Sequence, residues 1–558
     1  MKKTCKNCGT DFEITDDDLK FYDKISPILE GKKYEIPPPT YCPTCRQQRR
    51  LAFRNEMALH HRKCDATGNQ IVSMYSTDSS YTVYDQDAWW SDDWDPLSYG
   101  KDYDFDRPFF DQFQDLRLKV PRMSLNVLQN ENSYFTNYSL HNKDSYLIYT
   151  ADYNEKCYYG RFVDRNYRCC DIDFTYDSTD CYEVIHIHKC NRCFFSQKCN
   201  ECSELYFCYD MRNCQNCLFC GNLRNKQYHI FNQPVTPEKF EAMKAELLDQ
   251  DNLEVATKKA QEFLLTLPRQ CLENLKCEDC IGDYLQSSQR AVLCFDSYDL
   301  QDVKFGSHLF GIKDCYDWDF VGGVGSEVCY EMASCAYQLV QCAFCMNSWE
   351  GNSNLYYSDL CIGNKHCFGC IGIRQQRYCI LNKQYTKEEY EALLPKVIAH
   401  MQSTGEWGQF FPIEMSPFGY NESVAFEYYP LTVKEVKQKQ WNWQHEDDVE
   451  NGNMNSTVEI PKDLSKLDEK FCDNIFTCDA TGKPYKIIKQ ELEIHQELKM
   501  PLPQKSPLRR HQDRSAKRNP RRLYQRKCTK CSKEIHSTYA SDRPEIVYCE
   551  ECYLKEVY

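Results

Sequence analysis

The stretch that decides the fold begins at Ser133 and reads SYFTNYSLHNKD, SYLIYTADYNEK, CYYGRFVDRNYR, CCDIDFTYDSTD, CYEVIHIHKCNR, CFFSQKCNECSE, LYFCYDMRNCQN, CLFCGNLRNKQY, and then His229-Ile230-Phe231-Asn232. Each segment holds twelve residues. The second position is Tyr134, Tyr146, Tyr158, Tyr182, Phe194, Tyr206, Leu218 or Ile230, and only Cys170 interrupts that column. A short fixed period is the mark of coils stacked along one axis. Neighbouring coils of a β-solenoid lie about 4.8 Å apart. Twelve residues per coil leave very short strands and a narrow bore, which suits Cys, Ser, Ala and Val. From Cys157 to Cys220, eleven of twelve cysteines are separated by multiples of three, so they stack in columns. Asn142, Asn154, Asn166 and Ser178 form a further column, continued by Cys190, Cys202 and Cys214. Stacked Asn side chains can hydrogen-bond from coil to coil, and such a ladder is expected at the coil corners.

Outward from this block, a second copy appears at an offset of 150. Leu205-Tyr206, Cys217, Cys220, Arg224, Tyr228, Ile230 and Asn232 recur as Leu355-Tyr356, Cys367, Cys370, Arg374, Tyr378, Ile380 and Asn382. Both copies run into a Thr-capped acidic helix start, at Thr236 and Thr386. Helices there are expected to close the end of each arm. The second arm is less regular, because Cys280, Cys294, Cys315 and Cys329 are 14, 21 and 14 residues apart.

The chain ends carry different chemistry. Cys5 and Cys8 form one CxxC pair and Cys42 and Cys45 another; Cys528 and Cys531 pair in the same way with Cys549 and Cys552. Two Cys three residues apart in a tight turn present two thiolates to one ion, and two such knuckles supply four sulfurs at tetrahedral corners. Two Zn2+ per chain are therefore expected, both structural. The terminal regions are also copies of each other, at an offset of 464. Arg46, Arg50 and Arg54 map to Arg510, Arg514 and Arg518, and Arg62-Lys63-Cys64 maps to Arg526-Lys527-Cys528. Each copy has kept a different half. Cys64, Thr67, Asp85 and Ala88 stand where the C-terminal copy has its four Cys, while Cys478, Thr481, Ser506 and Arg509 stand where the N-terminal copy has its own.

Arg46, Arg50 and Arg54, and likewise Arg510, Arg514 and Arg518, fall on one helix face. Such a stripe can grip nucleic-acid phosphates, or it can pair with the acidic block from Asp85 to Asp106. A net charge of −15 argues against a protein that simply coats nucleic acid. There are 36 cysteines, no apolar leader and no run of 18 apolar residues. These features lead us to expect a reduced, cytoplasmic protein with no membrane span. For the solenoid thiols three states stay open: a reduced core, metal ligands, or disulfides.

Cys5-x-x-Cys8-Gly9, Phe12, Phe21-Tyr22 and Cys42-Pro43-x-Cys45-Arg46 with its Arg-rich tail resemble a bacterial probable zinc-ribbon family. Val547-Tyr548-Cys549-Glu550-Glu551-Cys552-Tyr553 looks like another bacterial zinc ribbon. The whole layout is similar to large uncharacterised Cys-rich proteins of uncultivated bacterial lineages. The resemblance implies zinc and no particular activity.

The expected architecture is mainly β. A zinc-ribbon module spans 1–110 and a twelve-residue-repeat solenoid 120–233, followed by capping helices over 234–268. A looser solenoid spans 269–383, a capping helix and aromatic segment 384–445, a linker 446–460, and a second module 461–558. The function this suggests is a non-enzymatic scaffold presenting a solenoid surface to an unknown protein partner. The alternatives are nucleic-acid binding through the Arg stripes and redox or metal handling by the stacked cysteines. No phosphate loop, nucleophile elbow, HExxH or deaminase motif is present.

Overall fold

The computed structural model describes residues 1–29, 31–247, 252–322, 327–332, 340–343, 351–445, 458–461 and 463–558. Residues 446–457 of the expected linker lie outside them, as do Cys335 and Cys345 of the second arm. The fold is mainly β, and its centrepiece is the expected solenoid. Strands Tyr146–Asp152, Tyr158–Asp164, Cys170–Tyr176 and Tyr182–His188 pair in parallel, with Tyr146 opposite Tyr158, Cys170 and Tyr182 in turn.

Backbone conformation explains the twelve-residue period. From Gln129 to Phe231 every third residue has positive φ, near +50°, without a break. Each coil therefore holds four left-handed residues and divides into four sides of three residues. An L-residue in this region costs about 1–2 kcal/mol, so burial must favour the coil strongly. The residue after each left-handed position points inward. Ile148, Ala151, Asn154, Cys157, Val163 and Cys169 are all buried there. Because three divides twelve, the inward side chains stack in register.

The inward columns also explain the choice of cysteine. A buried N–H needs a partner, and the inward side chain one coil earlier supplies it. The Cys157 N–H donates to Ser145 Oγ (3.2 Å), that of Asn166 to Asn154 Oδ1 (3.1 Å), and that of Cys181 to Cys169 Sγ (3.4 Å). Ser, Asn and Cys are thus interchangeable acceptors in one role. The thiols in turn donate to main-chain carbonyls, as Cys202 does to Asn200 O at 3.2 Å. The expected Asn ladder exists, from Asn130 through Asn142 and Asn154 to Asn166, but inside the bore. Cys170 is one step out of phase. It packs with Tyr158, Tyr182, Phe194 and Tyr206 against the helices Pro237–Leu247, Leu253–Leu265 and Lys489–Leu498.

Both arms end alike. A short antiparallel strand folds back on the last coil, Gln233–Pro234 on Gln227–Ile230 and Lys383–Gln384 on Arg377–Ile380. The helix Lys387–Thr404 then starts with a capping box between Thr386 and Glu389. The second arm keeps twelve-residue steps from Phe295 to Ser307 and from Leu355 to Cys367 and Cys379. Between these, Cys315 faces Cys329 and Cys329 faces Cys342, steps of 14 and 13. The extra residues account for its looser cysteine spacing.

The chain forms two compact units: residues 1–125 with 272–445, and residues 126–271 with 446–558. Each unit contains one solenoid arm and one terminal module. The N-terminal module packs on the second arm, and the first arm packs on the C-terminal module.

Candidate metal centres

The N-terminal centre is assembled by two local devices. Strands Lys2–Thr4 and Asp11–Glu13 pair as a hairpin whose tip is the first knuckle. Gly9 sits at φ +73° and donates to Cys5 O at 2.9 Å, closing the turn that brings Cys8 beside Cys5. The second knuckle is a helix start. Cys42 is the N-cap of the helix Pro43–Leu51, Pro43 fills its first position, and Cys45 lies in the first turn. The helix N-terminus favours thiolate there.

The four sulfurs lie within 4.8 Å of one another, and Cys8 Sγ is 3.8 Å from Cys42 Sγ. A tetrahedral zinc with Zn–S bonds of 2.3 Å sets its sulfurs about 3.8 Å apart, so the donor set fits such an ion. Asn7 Nδ2 donates to Cys45 Sγ at 3.3 Å, and Lys439 Nζ donates to Asn7 Oδ1 at 3.1 Å. This network spreads the negative charge of the site. A hydrogen bond from Cys45 helps bring the Cys42 thiol down to about 5, and the same interaction pushes Cys45 upward. The thiols therefore ionise as a set.

The C-terminal centre repeats this plan. Strands Tyr524–Lys527 and Glu534–Ser537 form the hairpin, and Ser532 takes the place of the glycine at φ +63°. Cys549 is the N-cap of the helix Glu550–Val557. The Sγ atoms of Cys528, Cys531, Cys549 and Cys552 again lie within 4.8 Å, with Cys531 and Cys549 3.7 Å apart. Burial works against ionisation at Cys528, yet the N–H groups of Cys549, Cys531 and Lys530 bring it down to about 6. Both sets can hold a metal ion. With four protein sulfurs neither leaves an open coordination position.

The two altered half-sites keep the ribbon and replace the ion by hydrogen bonds. At the first, Thr67 Oγ1 donates to Asp85 Oδ2 at 3.0 Å and the Asp85 N–H donates to Cys64 Sγ at 3.2 Å. Asp85 also caps the helix Gln86–Trp90 through the Ala88 N–H (2.8 Å). Gly68 holds the knuckle turn at φ +74°. At the second, Gly482 plays that part at φ +67°, and Ser506 caps the helix Pro507–Ala516.

The Arg stripes lie inside the units. Arg46 reaches Asp317 at 2.9 Å; Arg50 reaches Asp317 at 3.0 Å and Asp319 at 2.9 Å; Arg54 pairs with Glu56 and covers the Phe320 ring. In the other unit Arg514 meets Asp171 (2.6 Å) and Asp173 (2.7 Å), and Arg510 meets Asp171 (3.3 Å) and Glu491 (2.8 Å). Arg518, half-buried, stacks on Phe174 and donates to His186. Arg46, Arg50, Arg510 and Arg514 thus bind solenoid carboxylates of their own unit, where the sequence had suggested the 85–106 acidic block.

A second docking point is also shared. Tyr553 donates to Asp210, which pairs with Arg224 at 2.9 Å. At the corresponding places of the other unit, Trp89 lies 4.3 Å below the Arg374 guanidinium. Sequence reasoning missed the acids that receive the stripes. Their signal was present in the shared pattern of Asp171-Ile172-Asp173-Phe174 and Asp317-Trp318-Asp319-Phe320.

No family model matches the chain, and neither a curated protein nor a solved structure matches it.

Proposed function

We propose that this protein is a structural zinc scaffold. One zinc in each unit stiffens a ribbon that docks on a solenoid arm, and the uncovered flanks of the arms engage a protein partner. The observation that carries this reading is where the four-sulfur sets stand. Cys42 and Cys45 open the helix that delivers Arg46 and Arg50 to Asp317 and Asp319. Cys549 opens the helix that delivers Tyr553 to Asp210. Each zinc would therefore hold a docking helix in place, which is the work of a structural ion. The tetrahedral all-thiolate set suits zinc. Repeat arms of this kind present extended binding faces. A reducing, cytoplasmic setting suits the 32 cysteines whose side chains are described, all free of disulfides. Nucleic acid is not the partner proposed, since all six stripe arginines have partners within the chain. No reaction is assigned.

The test is hydrogen exchange on the zinc-loaded chain before and after chelation. The helices 43–51 and 550–557 should lose protection while the coils 146–188 keep theirs. Unchanged exchange at both helices would show that metal does not hold the docking points.

A further inference from the structure

Among the solenoid cysteines whose side chains are described, every thiol is buried except one adjacent pair, Cys277 and Cys280, which are half-exposed. Their place in the fold explains this. The strand Ile281–Gln286 is the edge of its sheet, and residues 275–280 form the first coil beneath it through the bridges Leu275–Gln286 and Glu278–Gln289. The far end of this arm is closed by a return strand and a helix. At the near end, Leu275 and Ile281 are about 40% exposed.

The two thiols occupy consecutive inward positions, each one residue after a left-handed residue, Lys276 and Asp279. Their other contacts are weak and replaceable. Cys277 Sγ donates to Leu275 O at 3.4 Å, and Cys280 Sγ donates to Glu278 O at 3.3 Å and Ser288 O at 3.4 Å. None of this requires sulfur. In the first coil of the other arm the positions three and six residues after the ladder residue Asn130 are Ser133 and Thr136. Here, three and six residues after the ladder residue Asn274, they are Cys277 and Cys280. Ser fills the same hydrogen-bonding role throughout the bore, so cysteine at the open end adds only its reactivity. Reactivity follows exposure, and among the described side chains of the arms these are the two thiols that solvent reaches.

We propose that Cys277 and Cys280 form an accessible dithiol that closes reversibly to an intramolecular disulfide by exchange with a low-molecular-weight disulfide, fastening the open end of this arm. In the first step one cysteine thiolate attacks a sulfur of the small disulfide; its S–S bond breaks, a mixed disulfide forms, and one small thiolate leaves and takes up a proton. In the second step the neighbouring thiol gives up its proton and attacks the protein-bound sulfur, and the second small thiol departs. One S–S bond is lost and one formed. The pair gives up two electrons and two protons, and the small disulfide takes them. The buried pairs of the same spacing, such as Cys367 and Cys370, are closed to this chemistry because no thiolate forms there and no reagent enters.

The experiment equilibrates the folded, zinc-loaded full chain with mixtures of oxidised and reduced glutathione. Acid quenching, alkylation and peptide mass analysis then follow. The peptide spanning 277 and 280 should lose both thiols together as an internal disulfide, at least about tenfold faster than Cys367 and Cys370 lose theirs. Cys277→Ser and Cys280→Ser should each stop at a glutathione adduct on the remaining thiol. The proposal is overturned if both thiols are lost no faster than Cys367 and Cys370. It is also overturned if the wild-type chain accumulates the adduct without closing.

Discussion

Replacing Arg50 by Met removes one arm of a buried clamp and leaves its acids in place. Arg50 is fully buried, as are Asp317 and Asp319, which it contacts at 3.0 and 2.9 Å. After the change Asp317 still has Arg46 at 2.9 Å, but Asp319 keeps only neutral donors among those described here, Gln47 Nε2 at 2.8 Å and the Ser307 hydroxyl at 2.5 Å. Removing one partner of a buried ion pair costs about 3–5 kcal/mol, because the remaining charge stays desolvated. The surviving amide and hydroxyl place this case near about 3 kcal/mol. For a unit of about 300 residues the unfolding entropy makes this roughly 1.6 °C per kcal/mol, so its melting temperature should fall by about 5 °C. Tryptophan fluorescence reads the effect selectively. All eight Trp of the chain fall in the unit built from 1–125 and 272–445, and Trp318 stands between the two acids. Urea titration followed by fluorescence should show the loss in Arg50→Met. The double variant Arg50→Met/Asp319→Leu should recover most of it, since an apolar pair replaces a buried ion pair at little cost. A loss below about 1 kcal/mol, or a double variant worse than the single one, would refute the claim that a desolvated clamp joins module to arm.

Other outcomes follow from the same geometry. Asn154→Ala should destabilise the first arm by about 3 kcal/mol in urea unfolding followed by circular dichroism, because it takes the side-chain acceptor from the buried Asn166 N–H and amide and the side-chain donor from Val163 O. Asp152 is pushed up to about 7 by burial and by the neighbouring Asp164 charge. A carboxyl whose folded pKa lies above its unfolded value near 3.9 costs stability as pH rises from about 4 through 7. Asp152→Asn should therefore stabilise this unit by about 1–2 kcal/mol at pH 8 and leave it unchanged at pH 4, as read by melting curves. The triple change Thr67→Cys, Asp85→Cys and Ala88→Cys rebuilds a four-thiol set with Cys64 on a ribbon that keeps its knuckle and helix cap. It should raise bound zinc by one per chain in elemental analysis, and no increase would mean that the altered ribbon no longer has metal-ready geometry.

Much of this fold could be read directly, because its determinants are local and periodic. The twelve-residue repeat announces stacked coils, and the phase of Cys157, Cys169 and Cys181 points them into the bore. The four-Cys sets were equally legible, since a CxxC knuckle is a local turn. What could not be read was non-local. The partners of Arg46 and Arg50 lie some 270 residues away, and helical spacing shows a stripe without saying what it meets. The Asn column was expected at corners; the left-handed residue at every third position, including Phe, Tyr and Arg, turns it inward instead. Nothing in residue type foretells such a backbone, because these side chains rarely adopt it alone. The pairing of each module with the arm more distant from it in sequence is likewise a property of the packed units.

The most direct test of the central claim is metal content and thiol count on the same purified chain. The account predicts two zinc per chain, held by Cys5, Cys8, Cys42 and Cys45 and by Cys528, Cys531, Cys549 and Cys552. It also predicts that the 34 cysteines other than Cys277 and Cys280 titrate as thiols once the chain is denatured under chelation without reductant. Metal well above two per chain, visible absorbance from an iron–sulfur cluster, or disulfides in the solenoid columns at cysteines other than Cys277 and Cys280 would contradict it.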